Sequence, residues 1–118
     1  MHGQTNRRAV GAFDNSKAVG IFSNMAAELL IDERHILDAE SFVEIVVWRL
    51  PKPVPGSRHA FKYRLAYVSN GECVLRYDNE VGKGDHRHFG QKETAYSFIS
   101  PETLLSDFWG DVERWRVR

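Results

Sequence analysis

Apolar and polar residues alternate with short periods through most of the chain, then change to a helical spacing near its end. Glu28 to Leu37 reads as a first strand, although its Ala/Glu/Leu start also suits a helix. Asp38-Ala-Glu-Ser41 predicts a turn, since these side chains readily bond their own backbone. Phe42 to Leu50 is the densest run of β-branched and aromatic residues and predicts a strand. It is apolar on both sides, so a central position or a covering second layer is expected.

Pro51-Lys-Pro-Val-Pro-Gly-Ser57 lacks three backbone donors and predicts a rigid, extended connection. His59 to Ser69 and Glu72 to Asp78 then flank Asn70-Gly71, a pair suited to a two-residue hairpin turn. That turn sets an expected register, with Ser69 opposite Glu72, Tyr67 opposite Val74, Leu65 opposite Arg76 and Tyr63 opposite Asp78. Opposed residues share a face. Phe61, Tyr63, Leu65, Tyr67 and Val74 are therefore expected on one side together with Arg76 and Asp78, which would need to pair if that side is the core.

Gln91 to Thr94 is polar, and Tyr96-Ser-Phe-Ile99 is expected to form a short closing strand. Ser100 is a good N-cap, with Pro101 at the first helical position and Glu102 in the first turn. Leu104, Leu105, Phe108, Val112 and Trp115 form a stripe at helical period. Gly110 inside that stripe costs ~1 kcal/mol against alanine, which suggests a close neighbour. The expected fold class is α+β: an antiparallel sheet of four or five strands with the C-terminal helix packed on one face.

Composition bounds this picture without redirecting it. The 118 residues suffice for a single core, placed at residues 25–118, with residues 1–24 expected to be a flexible extension. Arg7 and Arg8 precede no long apolar run, so no signal peptide is expected. No eighteen consecutive apolar residues predict a membrane helix. A lone cysteine, Cys73, excludes an internal disulfide and fits a reducing cytoplasm. Sixteen basic and sixteen acidic residues cancel, so net charge selects no partner. From Arg49 to Arg64 five cations occur without an acid, a basic edge that either binds polyanions or is simply solvated.

The chemistry concentrates in Arg76 to Gly90, read as a glycine-bearing loop. In one reading His86 and His88 form an acid–base pair for a phosphodiester, with Asp78 orienting them. Arg76, Lys83 and Arg87 would hold phosphate, Tyr77 and Asn79 would contact substrate, and Tyr63, Tyr67 and Tyr77 would stack bases. This chemistry needs no metal or cofactor. In a second reading Asp85, His86 and His88 hold a metal, since His-x-His on an extended segment points both rings one way. In a third the loop is a conformational device or a non-catalytic binding surface, with Arg87 paired to an acidic helix residue.

Phe61-Lys-Tyr-Arg-Leu65, Val74-Leu-Arg-Tyr-Asp-Asn79, Gly82-Lys-Gly-Asp-His-Arg-His88 and Leu104-Leu-Ser-Asp-Phe-Trp109 together resemble the TumE family of small bacterial toxins. The resemblance runs from about Ala26 to Arg116. It implies a growth-inhibiting toxin held inactive by a helix-turn-helix antitoxin of the TumA type. By analogy with other small toxins it points to RNA as the target and to a metal-independent endoribonuclease. A homodimer is compatible with it, and a membrane is not expected as a partner.

Overall fold

The computed structural model describes residues 26–118, and the expected N-terminal extension lies outside them. Among the described residues six strands form one antiparallel sheet in chain order: β1 (Glu28–Asp38), β2 (Ser41–Arg49), β3 (Phe61–Ser69), β4 (Glu72–Glu80), β5 (Gly84–Phe89) and β6 (Lys92–Ala95). A helix, α1 (Pro101–Arg116), follows them. The class is the expected α+β, with more strands than the four or five read from sequence. No described helix is long and apolar enough to cross a membrane.

The sixth strand arises where the expectation was wrong. Lys92–Ala95 is β6, paired with β5, whereas Tyr96 to Ile99 leaves the ladder. Its aromatic rings anchor it beneath the sheet instead. Tyr96 meets Tyr77 edge-on at 5.0 Å, and Phe98 stacks on His59 at 3.9 Å. Burying those rings offsets the lost ladder bonds.

The Asn70-Gly71 turn forms as expected, with φ of 53° and 78°. The register beyond it does not. Ser69 faces Glu72 and Val68 faces Cys73, but Tyr67 faces Leu75, leaving Val74 as an extra residue in a bulge. Its carbonyl accepts the Gly90 N–H at 2.8 Å. One extra residue reverses the parity of everything after it. Leu65 therefore faces Tyr77, and Arg64 faces Asp78. Arg76 and Asp78 accordingly lie on the face opposite Tyr63, Leu65 and Tyr67.

The sheet thus has one apolar and one charged face. Val43, Ile45, Val47, Tyr63, Leu65, Tyr67, Leu75 and Tyr77 meet Leu104, Phe108 and Val112 of α1 in a single core. Ser100 caps the helix by accepting the Thr103 N–H at 3.1 Å, and Pro101 stands at its start. Gly110 has no tight neighbour among the described residues, since an added Cβ would lie 3.8 Å from the Arg114 guanidinium. Gly110→Ala is therefore expected to stabilise the protein by up to ~1 kcal/mol, read as a rise in unfolding midpoint.

The proline-rich connection packs against the β4–β5 turn. Gly82 N–H donates to Pro55 O at 2.7 Å, and Gly56, at φ 92°, sits so close that a Cβ would lie 3.0 Å from the Gly82 carbonyl carbon. These glycines serve backbone contact with each other rather than approach to a ligand.

Candidate functional site

The supposed loop from Arg76 to Gly90 is a β-hairpin, β4 and β5 joined at Val81 to Lys83. Strand alternation splits its chemical groups between two faces. On the open face, Arg76 opposes His88 and Asp78 opposes His86 across the ladder. On the helix face, Tyr77 opposes Arg87 and Asn79 opposes Asp85.

The groups on the helix face are bound to one another and to the scaffold. Arg87 Nε donates to Asp111 Oδ2 at 2.6 Å and to the Tyr77 hydroxyl at 3.1 Å. The Tyr77 hydroxyl donates to the same Asp111 oxygen at 2.7 Å, and Arg114 binds the other. Burial alone would push the Asp111 carboxyl up, but its bonds from Arg87, Tyr77 and Arg114 outweigh this and hold it below the usual range. Asn79, fully buried, accepts the Tyr63 N–H at 3.0 Å and donates to Phe61 O at 2.7 Å, bridging β4 to the start of β3.

Arg87, Tyr77 and Asn79 therefore cannot share a ligand with His86 and His88, contrary to the sequence reading. The pairing of Arg87 with an acidic helix residue is borne out. Tyr63, Tyr67 and Tyr77 are all core residues and are not available to stack bases.

Asp85 also leaves the histidines. It accepts from the Tyr63 hydroxyl at 2.6 Å and pairs with His59 Nε2 at 2.7 Å. His59 Nδ1 accepts the Phe61 N–H at 3.1 Å, which places the ring proton on Nε2. The proposed Asp85–His86–His88 metal site is not assembled, because adjacent strand residues point to opposite faces. Among the described residues no cluster of three His, Cys, Asp or Glu side chains could hold a metal ion.

The open face retains a distinct constellation. Arg76, Asp78, Glu80, Lys83, His86, His88 and Glu93 line a cleft of ≈ 190 Å³. Arg76 Nη2 lies 3.0 Å from His88 Nε2, so that nitrogen accepts and Nδ1 carries the ring proton. Arg76 Nε sits 3.3 Å from Asp78 Oδ2. His86 Nε2 faces Lys83 O at 2.9 Å and must donate to it, which turns Nδ1 into the cleft.

Glu93, supplied by β6 opposite His88, was missed from sequence. Its Oε2 lies 3.2 Å from His86 Nδ1 and 3.6 Å from His88 Nε2. Two buried nitrogens of the cleft, Arg76 Nε and His86 Nδ1, have a carboxylate nearby but no aligned hydrogen-bond partner among the described residues. Buried polar atoms are rarely left so.

The basic stretch read as an edge runs into an interior strand. Lys62 and Arg64 of β3 lie on the same open face, with Arg64 opposite Asp78. Lys62 is buried and donates to Asn79 O at 2.7 Å, and burial lowers its pKa despite Asp78 and Glu80 nearby.

Comparison with known proteins agrees with the segments that first suggested a resemblance. The family model described as Toxin TumE matches residues 26–116, which span all six strands and α1. No curated protein and no solved structure gives a match. A match over this much of the sequence establishes membership: the chain belongs to the TumE toxin family.

Proposed function

We propose that the protein is the toxin of a toxin–antitoxin pair and arrests growth by cutting RNA in the cytoplasm through the open-face cleft. The observation that carries this reading is the pair of unpartnered buried nitrogens, Arg76 Nε and His86 Nδ1, aimed into one cleft with two imidazoles and a carboxylate. A guanidinium donor and an imidazole acceptor lining one cleft suit a phosphodiester with its neighbouring hydroxyl.

The roles follow from the hydrogen-bond partners. His86 Nδ1, assisted by Glu93, takes the proton of the ribose 2′-hydroxyl, and the 2′-oxygen attacks phosphorus. His88, entering the step as imidazolium with its Nε2–H turned from Arg76 to Glu93, donates its Nδ1 proton to the departing 5′-oxygen and is left neutral. Arg76 and Lys83 neutralise the charge that grows on the phosphoryl oxygens, and Asp78 holds the Arg76 guanidinium in place. The products are a 2′,3′-cyclic phosphate and a free 5′-hydroxyl, so atoms and protons balance without a metal or cofactor. Arg64 continues the row of cations across β3 and would help to track a single strand.

The inhibiting partner is proposed to be a helix-turn-helix antitoxin of the TumA type. Toxin families imply such a partner, and the open charged face is the surface it would need to cover. Inducible expression in a bacterium tests the reading. Growth arrest with fragmented RNA supports it. Arrest with intact RNA removes the nuclease, and no arrest by folded protein favours a binding role.

A further inference from the structure

Among the described residues the open face of the sheet presents Phe42 and Trp48 of β2, whereas the other phenylalanines, tyrosines and tryptophans pack on the helix side. Val47 belongs to the core, so Trp48, next along the strand, points the other way, and it opposes Lys62 across the β2–β3 ladder. The Arg34 guanidinium lies over the Phe42 ring at 4.0 Å and occupies it. Trp48 has no such cover. It is only partly buried, and no ring or cation of the described residues stacks on it. Trp109 and Trp115, by contrast, each pack edge-on against a phenylalanine. The Trp48 Nε1 is buried, so the indole offers a ligand ring surface rather than a hydrogen bond.

The surroundings of Trp48 lead to the cleft. Arg64, on the neighbouring strand, stands between Val46 of β2 and Asp78 of the cleft. β2 lies two strand spacings from β4, about 10 Å. Beyond Leu50 the proline-rich connection carries exposed Lys52 and Arg58 and no acid. That connection meets the β4–β5 turn where Gly82 N–H donates to Pro55 O, next to Lys83 of the cleft. An aromatic surface, a group of cations and the cleft thus adjoin along one end of the open face.

We propose that Trp48 is a base-stacking platform for single-stranded RNA whose phosphodiester occupies the cleft. That role rests on the nuclease reading of the cleft and adds a second subsite to it, remote from the bond that is cut. Every base has a flat apolar face that suits an uncovered indole, and the cations of the connection suit the phosphates between the two subsites. A duplex keeps its base faces inside its own stack and cannot use the platform. The subsite therefore selects single strands rather than a sequence. It also supplies the stacking surface that Tyr63, Tyr67 and Tyr77, all core residues, do not.

Fluorescence anisotropy of a short labelled 2′-O-methyl oligoadenylate tests the platform with the full chain, since this RNA lacks the attacking hydroxyl and stays intact. Trp48→Leu keeps an apolar side chain without a ring, and Trp48→Phe keeps a ring. Trp48→Leu is expected to weaken binding by about tenfold, and Trp48→Phe to retain most of the affinity, because one base stacked on an aromatic side chain contributes about that factor. Removing single bases along the oligomer should reveal one position that costs wild type a similar factor and costs Trp48→Leu nothing. A purely structural role for Trp48 would not create dependence on one base. Trp48→Leu binding as tightly as wild type, or a wild type in which no single base matters, overturns the platform and leaves the nuclease reading standing. A folded wild type that binds no RNA overturns both.

Discussion

Asp111→Ala is expected to cost about 3–5 kcal/mol of folding stability, the penalty for removing one partner of a buried ion pair. Asp111 is fully buried and joins Arg87, Tyr77 and Arg114. Without it the partly buried Arg87 guanidinium loses its carboxylate, and the Tyr77 hydroxyl is left to accept from Arg87 at 3.1 Å and to donate only to Asp107 O at 3.4 Å. Against a total of ~5–15 kcal/mol for a domain this is a large share. Asp111→Asn retains an acceptor and should cost less. The acid limb of stability changes as well. Because the folded carboxyl lies below its unfolded value of ~3.9, its contribution is complete above that value and is lost as pH falls through the folded value. Urea unfolding of wild type and Asp111→Ala between neutral and strongly acid pH checks both points. The gap between them should narrow as pH falls.

Loss of His86 and His88 should have the opposite profile, with activity falling and stability intact. Both rings sit on the open face, partly exposed, and neither belongs to the core. Removing an acid or base from such chemistry lowers the rate by about 10²–10⁴-fold. His86→Ala, His88→Ala and their combination should therefore abolish growth arrest while unfolding near the wild-type midpoint. Glu93→Gln keeps the shape of the cleft but removes the carboxylate between the rings, and should also impair arrest. Arg87→Lys, on the other face, should lower stability and leave the cleft assembled. Thermal melts beside growth curves separate the two classes.

The sequence carried most of the strand order, the Asn70-Gly71 turn and the capped helix, because each has a local chemical signal. What escaped it was parity. Nothing in Cys73-Val-Leu75 announces a bulge, yet the extra residue moves Arg76 and Asp78 from the expected core face to the cleft. That shift brings them beside His86 and His88, and strand alternation removes Tyr77, Asn79, Asp85 and Arg87. Glu93 was hidden for a related reason. Lys92–Ala95 is a polar edge strand with no apolar alternation to mark it, whereas Tyr96 to Ile99 has the composition of a strand but buries its rings under the sheet. Gly90, at φ 64°, was the available clue. A two-residue turn at Gly90-Gln91 pairs Phe89 with Lys92 and so sets His88 against Glu93.

The central claim is that the open-face cleft cuts RNA through its own side chains. Its most direct measurement is the chemistry of RNA ends after purified protein, with metals chelated, has acted on a defined single-stranded RNA. The account predicts fragments ending in 2′,3′-cyclic phosphate with matching 5′-hydroxyls, formed by wild type and not by His86→Ala/His88→Ala. Intact RNA, or equal cleavage by the double variant, would contradict it.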